Sequence, residues 1–122
     1  MAKSILVVED NIIIAMVTRK TLVSAGYTVS EILSNGSEAI QEVRRNCPDL
    51  ILMDIQLDDG ADGIQTMLEI KKFCAAPVIY LTGNSELRSK EQASATGFSG
   101  FLIKPVQPSE LLTMIEKVIG KA

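Results

Sequence analysis

The chain has 122 residues, the length of one domain, and its 47% apolar and 22% charged residues suit a buried core rather than a disordered tail. A net charge of −3, from 12 basic and 15 acidic residues with no basic run longer than two, argues against nucleic acid as a direct partner. No segment approaches the ~20 apolar residues of a membrane span, and Met1–Ser4 runs straight into a strand rather than a signal peptide, so a cytoplasmic single-domain protein spanning 1–122 is expected.

Strand-like and helix-like patterns alternate along the chain. Lys3–Val8 reads as a strand, followed by a helix from about Asn11 to Ala25, with Asp10 or Asn11 as N-cap and Gly26 as the stop. Tyr27–Leu33 holds a less apolar strand, suited to a sheet edge. Asn35-Gly36 reads as a turn and Ser37–Asn46 as a helix ended by Pro48. The apolar run Asp49–Met53 is the central strand, and Gly63–Cys74 is helical by its spacing of Ile64, Met67, Leu68 and Ile70. Val78–Leu81 is a strand, Glu86–Ala95 a polar helix, and Phe101–Ile103 the last strand. Pro108 opens a final helix that should bury Leu111, Leu112, Ile115, Val118 and Ile119. Five such units predict an α/β fold: a doubly wound parallel sheet of order 2-1-3-4-5 with five helices on its two faces. The unalternated apolar strands agree, because parallel strands are covered on both sides. Cys47 and Cys74 belong to no metal or redox pattern and read as buried thiols in a reducing compartment.

The chemistry gathers where the strands end. One apolar strand runs into Glu9-Asp10, another into Asp54, a third into Thr82 and a fourth into Lys104-Pro105. In an open parallel sheet these carboxyl ends share one edge, where ligands bind. Carboxylates crowded there repel one another, and with no histidine or thiolate beside them they favour a hard cation, Mg²⁺ or Mn²⁺. The ammonium of Lys104 and the hydroxyl of Thr82 are groups that hold a phosphoryl group, and Pro105 can occupy a cis bond.

These residues resemble those of the receiver domain of two-component response regulators, chemotaxis-regulator-like in extent, through Val7-Val8-Glu9-Asp10-Asn11, Leu52-Met53-Asp54-Ile55, Asp62-Gly63, Leu81-Thr82-Gly83 and Leu102-Ile103-Lys104-Pro105. The resemblance implies a flavodoxin-like fold and a signalling module that catalyses only its own phosphorylation and dephosphorylation. Asp54 would accept a phosphoryl group from a phosphohistidine on a sensor histidine kinase or a histidine phosphotransfer protein. Asp10 and Asp54 would bind Mg²⁺ directly, Glu9 would assist, and the backbone carbonyl of Gln56 would complete the set. Thr82 and Lys104 would hold the phosphoryl oxygens, and Phe101 would act with Thr82 as the switch residue on a surface formed by the fourth helix, the fifth strand and the fifth helix. The output would be a downstream protein contact or a phosphorylation-dependent homodimer. Gln56 and Asn84 would flank the path of attacking water and tune the lifetime of the acyl phosphate. Both are neutral amides, so hydrolysis is expected to vary little between about pH 6 and 8, where unperturbed Asp, Glu and Lys keep their charge.

This chain departs from the family pattern in having Asp58 where a proline is usual, a loop to Asp62-Gly63 one residue longer, and Phe101 in place of tyrosine. An aspartate-nucleophile phosphatase of the haloacid-dehalogenase type is the enzyme alternative, but Gln56 stands where its general acid is required. An FMN carrier would want a phosphate loop after the first strand, where this chain has acids.

Overall fold

The computed structural model describes residues 2–57, 62–83, 91 and 93–122. Five strands, β1 (Ser4–Val8), β2 (Thr28–Leu33), β3 (Leu50–Asp54), β4 (Val78–Thr82) and β5 (Gly100–Ile103), form one parallel sheet in the order β2-β1-β3-β4-β5. The helices among the described residues are α1 (Ile12–Ser24), α2 (Gly36–Arg45), α3 (Gly63–Ile70) and α4 (Pro108–Ile119). The expected helix over Glu86–Ala95 falls largely outside the described residues, although Glu91, Ala93 and Ser94 are helical.

Alternate strand residues feed two separate cores, as a period of two requires. Leu6, Val8, Ile51, Met53 and Tyr80 face α2 and α3 with Val43, Ile64, Met67 and Ile70. Ile5, Val7, Leu50, Leu52, Ile79 and Leu81 face the other way, packing with Ala15 and Leu22 of α1 and Leu111 and Ile115 of α4. Each fully buried Leu or Ile contributes roughly 1.5–3 kcal/mol, so the central strands β3 and β4, buried at every position, dominate the fold. Strand β2, paired on one side only, is nowhere fully buried.

Side-chain caps start three helices. Asn11 Oδ1 accepts from the backbone of Ile13 and Ile14 at 3.0 and 3.1 Å. Asn35 is the N-cap of α2 rather than part of a free turn: its Oδ1 accepts from Glu38 N at 2.8 Å and its amide donates to Glu38 Oε1 at 3.0 Å, a reciprocal pairing that satisfies an orphan donor of the first turn. Asp62 Oδ1 accepts from Ile64 N at 2.7 Å and starts α3. That helix stops at Ile70, short of the expected Cys74, because residues 71–73 turn away. In α4 only Leu111 and Ile115 are fully buried; Leu112, Val118 and Ile119 are half-buried, since the helix packs on one face alone.

The cysteines correct the sequence expectation. Cys47 and Cys74 are not free thiols but a disulfide, with Cα atoms 5.9 Å apart. Twenty-seven positions separate them in sequence; the fold brings together the entry to β3 and the segment after α3. Arg44 stacks over the Phe73 ring beside the bond, 4.5 Å from its centroid.

Candidate functional site

Strand register explains why the rim is crowded. Val8 pairs with Met53 across β1 and β3, and Asp54 pairs with Leu81 across β3 and β4. One step past the paired ends, Glu9 comes beside Asp54. Strand β5 pairs Ile103 with Thr82, and Lys104 N donates to the Thr82 carbonyl at 2.7 Å, so Lys104 leaves the sheet facing the same edge.

Ligand oxygens of Glu9, Asp10 and Asp54 lie within 4.8 Å of one another. Glu9 and Asp54 are buried, only 3% and 5% exposed, while Asp10 lies toward solvent. The Lys104 ammonium reaches both buried acids, Glu9 Oε1 at 2.6 Å and Asp54 Oδ2 at 3.0 Å. The remaining oxygen of Asp54 accepts from Gln56 N at 3.1 Å, and Glu9 Oε2 accepts from Asn11 N at 3.2 Å. Glu9 Oε1 is buried and has no well-aligned hydrogen bond, despite the closeness of the ammonium.

Charge at this rim is only partly compensated. Burial, with the neighbouring Asp54 carboxylate, pushes the Glu9 carboxyl up to about 7, against the pull of Lys104 and Asn11. For Lys104, burial works against the charged form, but contacts with Glu9 and Asp54 outweigh it and hold the ammonium above its ordinary range. Without a bound cation Glu9 is therefore not an unperturbed acid, because it is buried beside a second carboxylate. Three oxygen donors, one of them buried and under-satisfied, with no soft ligand among them, fit a hard divalent cation.

The other expected residues surround this cluster. Thr82 ends β4 and is buried, and the Lys104–Pro105 peptide bond is cis. Phe101 on β5 is half-buried in an aromatic group, its ring centroid 6.4 Å from Tyr80 and 5.8 Å from Phe98. Asn84 and Asp58 lie outside the described residues.

Two features escaped sequence reasoning. Tyr80, fully buried beneath Phe101, shares a 2.8 Å hydrogen bond with Thr96, and burial pushes its phenol up to about 12. Gly63 leaves no room for a side chain: a Cβ there would meet the Asp54 carbonyl oxygen at 2.1 Å. Its own N–H donates to the Ile55 carbonyl at 2.6 Å, so the start of α3 is pressed against the backbone that carries Asp54. The Asp-Gly pair in the sequence hinted at this position but not at its contact.

Comparison with known proteins agrees with this geometry. The family model for the response regulator receiver domain matches residues 5–116. The chain is 32% identical to the chemotaxis protein CheY of Bacillus subtilis, covering 98% of this chain and all of that one. It is 30% identical to the transcriptional regulatory protein PdtaR of Mycobacterium tuberculosis but spans only 58% of its length, and 31% identical to the hybrid signal transduction histidine kinase B of Dictyostelium discoideum but spans 6% of it. A CheY-like response regulator receiver domain protein from Methanospirillum hungatei superposes with a TM-score of 0.90 at 29% identity, over 96% of this chain and 93% of that one. With a matched family model, the expected strand order and an acidic rim in the expected place, the chain belongs to the response regulator receiver domain family.

Proposed function

We propose that the protein receives a phosphoryl group on Asp54, from a phosphohistidine of a sensor kinase or phosphotransfer protein, in a reaction that needs Mg²⁺. The observation that carries this reading is the contact of the Lys104 ammonium with both Asp54 and Glu9 at a rim holding three carboxylates. An Asp54 oxygen forms the new P–O bond; the P–N bond to the donor breaks, and its electron pair stays with the imidazole. Asp10, Asp54 and the Gln56 carbonyl would hold the cation, with Glu9 assisting; when bound, it would offset charge on the transferring group. Lys104 would contribute the second positive charge, and Thr82 a hydroxyl donor. Most catalysis of phosphoryl transfer is positioning and electrostatics of this kind. Contraction of Thr82 toward the new oxygens would change the space available to Phe101 and so bias the surface around β5.

The haloacid-dehalogenase alternative gains no support, since Asp54 ends the third strand and Gln56 follows two residues later. Intact-mass spectrometry after treatment with acetyl phosphate and Mg²⁺ tests the proposal. Wild type should gain one phosphoryl group and Asp54→Asn none; a labelled Asp54→Asn protein would move the acceptor elsewhere.

A further inference from the structure

The two cysteines take no part in the rim, and the proposed phosphoryl transfer does not use them. Their bond ties the connection between α2 and β3 to the connection between α3 and β4, at the opposite end of β3 from Asp54. The two residues stand in unlike surroundings. Cys47 is exposed, whereas Cys74 is only 5% exposed and belongs to the core with Met67, Ile70 and Ala76. A thiolate arriving from solvent therefore meets Cys47 first, and access helps to decide which sulfur exchanges. The chain has no third cysteine, so an opened pair has no wrong partner within the chain.

Each cysteine is also held in place by contacts other than the bond. On the Cys47 side, Asn46 N donates to the Glu42 carbonyl at 2.9 Å and closes α2, Pro48 is buried, and Asp49 N donates to the Ser4 carbonyl at 2.9 Å. On the Cys74 side, Phe73 N and Cys74 N both donate to the Ile70 carbonyl, at 3.1 and 3.0 Å, and the Lys71 ammonium donates to the Ala76 carbonyl at 3.0 Å. Arg44, stacked over the Phe73 ring, joins the two sides without sulfur. Opening the bond thus leaves two thiols side by side rather than two loose segments. What is lost is the closure across 27 positions, a restraint that acts mainly on the unfolded chain.

We propose that Cys47–Cys74 is a reversible thiol–disulfide exchange site, opened by a dithiol that enters through Cys47, and that its redox state sets the stability of the chain. A thiolate of the dithiol attacks Cys47 Sγ; the bond between the cysteines breaks, and its electron pair goes to Cys74 Sγ, which takes a proton. The second thiolate of the dithiol then attacks the dithiol's own sulfur in the mixed disulfide, and Cys47 leaves as a thiolate that takes a proton. The protein gains two electrons and two protons, and the dithiol becomes a disulfide. Closure needs a low-molecular-weight disulfide as oxidant: the Cys47 thiolate attacks it and releases one small thiol, and Cys74, held beside Cys47, displaces the other. The inference does not depend on the phosphoacceptor reading of Asp54.

The test equilibrates the full chain, without denaturant, in mixtures of reduced and oxidised dithiothreitol. Acid quenching, alkylation in denaturant and intact-mass spectrometry then count the thiols. Wild type should pass from no alkylated thiol to two and return to none when oxidised dithiothreitol is restored. Circular dichroism should show the reduced form folded, with a folded-to-unfolded ratio in urea melts about thirtyfold or more below that of the oxidised form. The route is tested by oxidised glutathione, which should add to Cys47 in Cys74→Ser about tenfold or more faster than to Cys74 in Cys47→Ser. Should either variant fail to fold, a brief pulse of reduced glutathione on oxidised wild type, trapped in acid, should leave the mixed disulfide on Cys47 by peptide mass. Reduction that occurs only after urea unfolds the chain would make the bond a static brace and overturn the proposal. So would a reduced form that unfolds or does not reclose, or redox forms of equal stability. Equal addition to the two folded serine variants, or a trapped mixed disulfide on Cys74, would overturn it by removing Cys47 as the point of entry.

Discussion

The two ends of β3 are built on opposite terms. At the amino end the polar groups are satisfied: the Asp49 carboxylate accepts from Ser4 N at 2.8 Å, Asp49 N donates to the Ser4 carbonyl at 2.9 Å, and the Cys47–Cys74 bond closes the layer beside them. At the carboxyl end, five residues away, two buried carboxylates share one ammonium, and one carboxylate oxygen lacks a well-aligned partner. Stability is concentrated at one end of the strand and unspent electrostatic potential at the other. The lesson is that a rigid, compensated edge permits a frustrated one, because the strand between them is buried throughout.

The comparison predicts separable failures. The largest effect is expected at the amino end. Cys74→Ser opens a closure spanning 27 positions, which should cost about 2–4 kcal/mol of stability, seen as a lower urea midpoint, while labelling of Asp54 under folding conditions stays near wild type. A collapse of labelling in that folded variant would show the two ends to be coupled.

At the carboxyl end, pH should act on the metal-free protein. The folded Glu9 carboxyl titrates near 7 and its ordinary value is 4.5. Between these values the folded state holds a proton that the unfolded state has released, so stability falls as pH rises through this window, by an amount on the order of 2 kcal/mol. Denaturant melts in EDTA at pH 5, 6, 7 and 8 measure it. Glu9→Gln should flatten the slope, and an equally steep slope in that variant would assign the proton to another group.

A smaller effect is expected from Asp49→Ala, which removes the acceptor for Ser4 N at an exposed site. About 1 kcal/mol should be lost, with the pH slope unchanged. Gly63→Ala probes the seam between the regions: its methyl would strike the Asp54 carbonyl, so labelling should drop even where the melt shows the fold retained. Normal labelling kinetics in that variant would mean that the Asp54 backbone is not positioned by α3.

Much of this was legible in the sequence because parallel strands buried on both faces leave runs of apolar residues, and such runs end in view. Leu50–Met53, Val78–Leu81 and their polar terminators located the rim without coordinates. Boundaries moved by a residue or two where caps decide them, as at Asn35, whose side chain starts α2. What the sequence concealed depends on distance across the fold. The Cys47–Cys74 bond needs two segments 27 positions apart to meet. The elevated Glu9 carboxyl needs burial beside Asp54, and the role of Gly63 needs the backbone it touches.

The central claim is that the carboxyl rim is an acidic site completed by a divalent cation and acting through Asp54. Intact-mass spectrometry of wild type after exposure to acetyl phosphate, in Mg²⁺ and in EDTA side by side, tests it most directly. The account predicts one added phosphoryl group with Mg²⁺ and none in EDTA; equal labelling in both would contradict it.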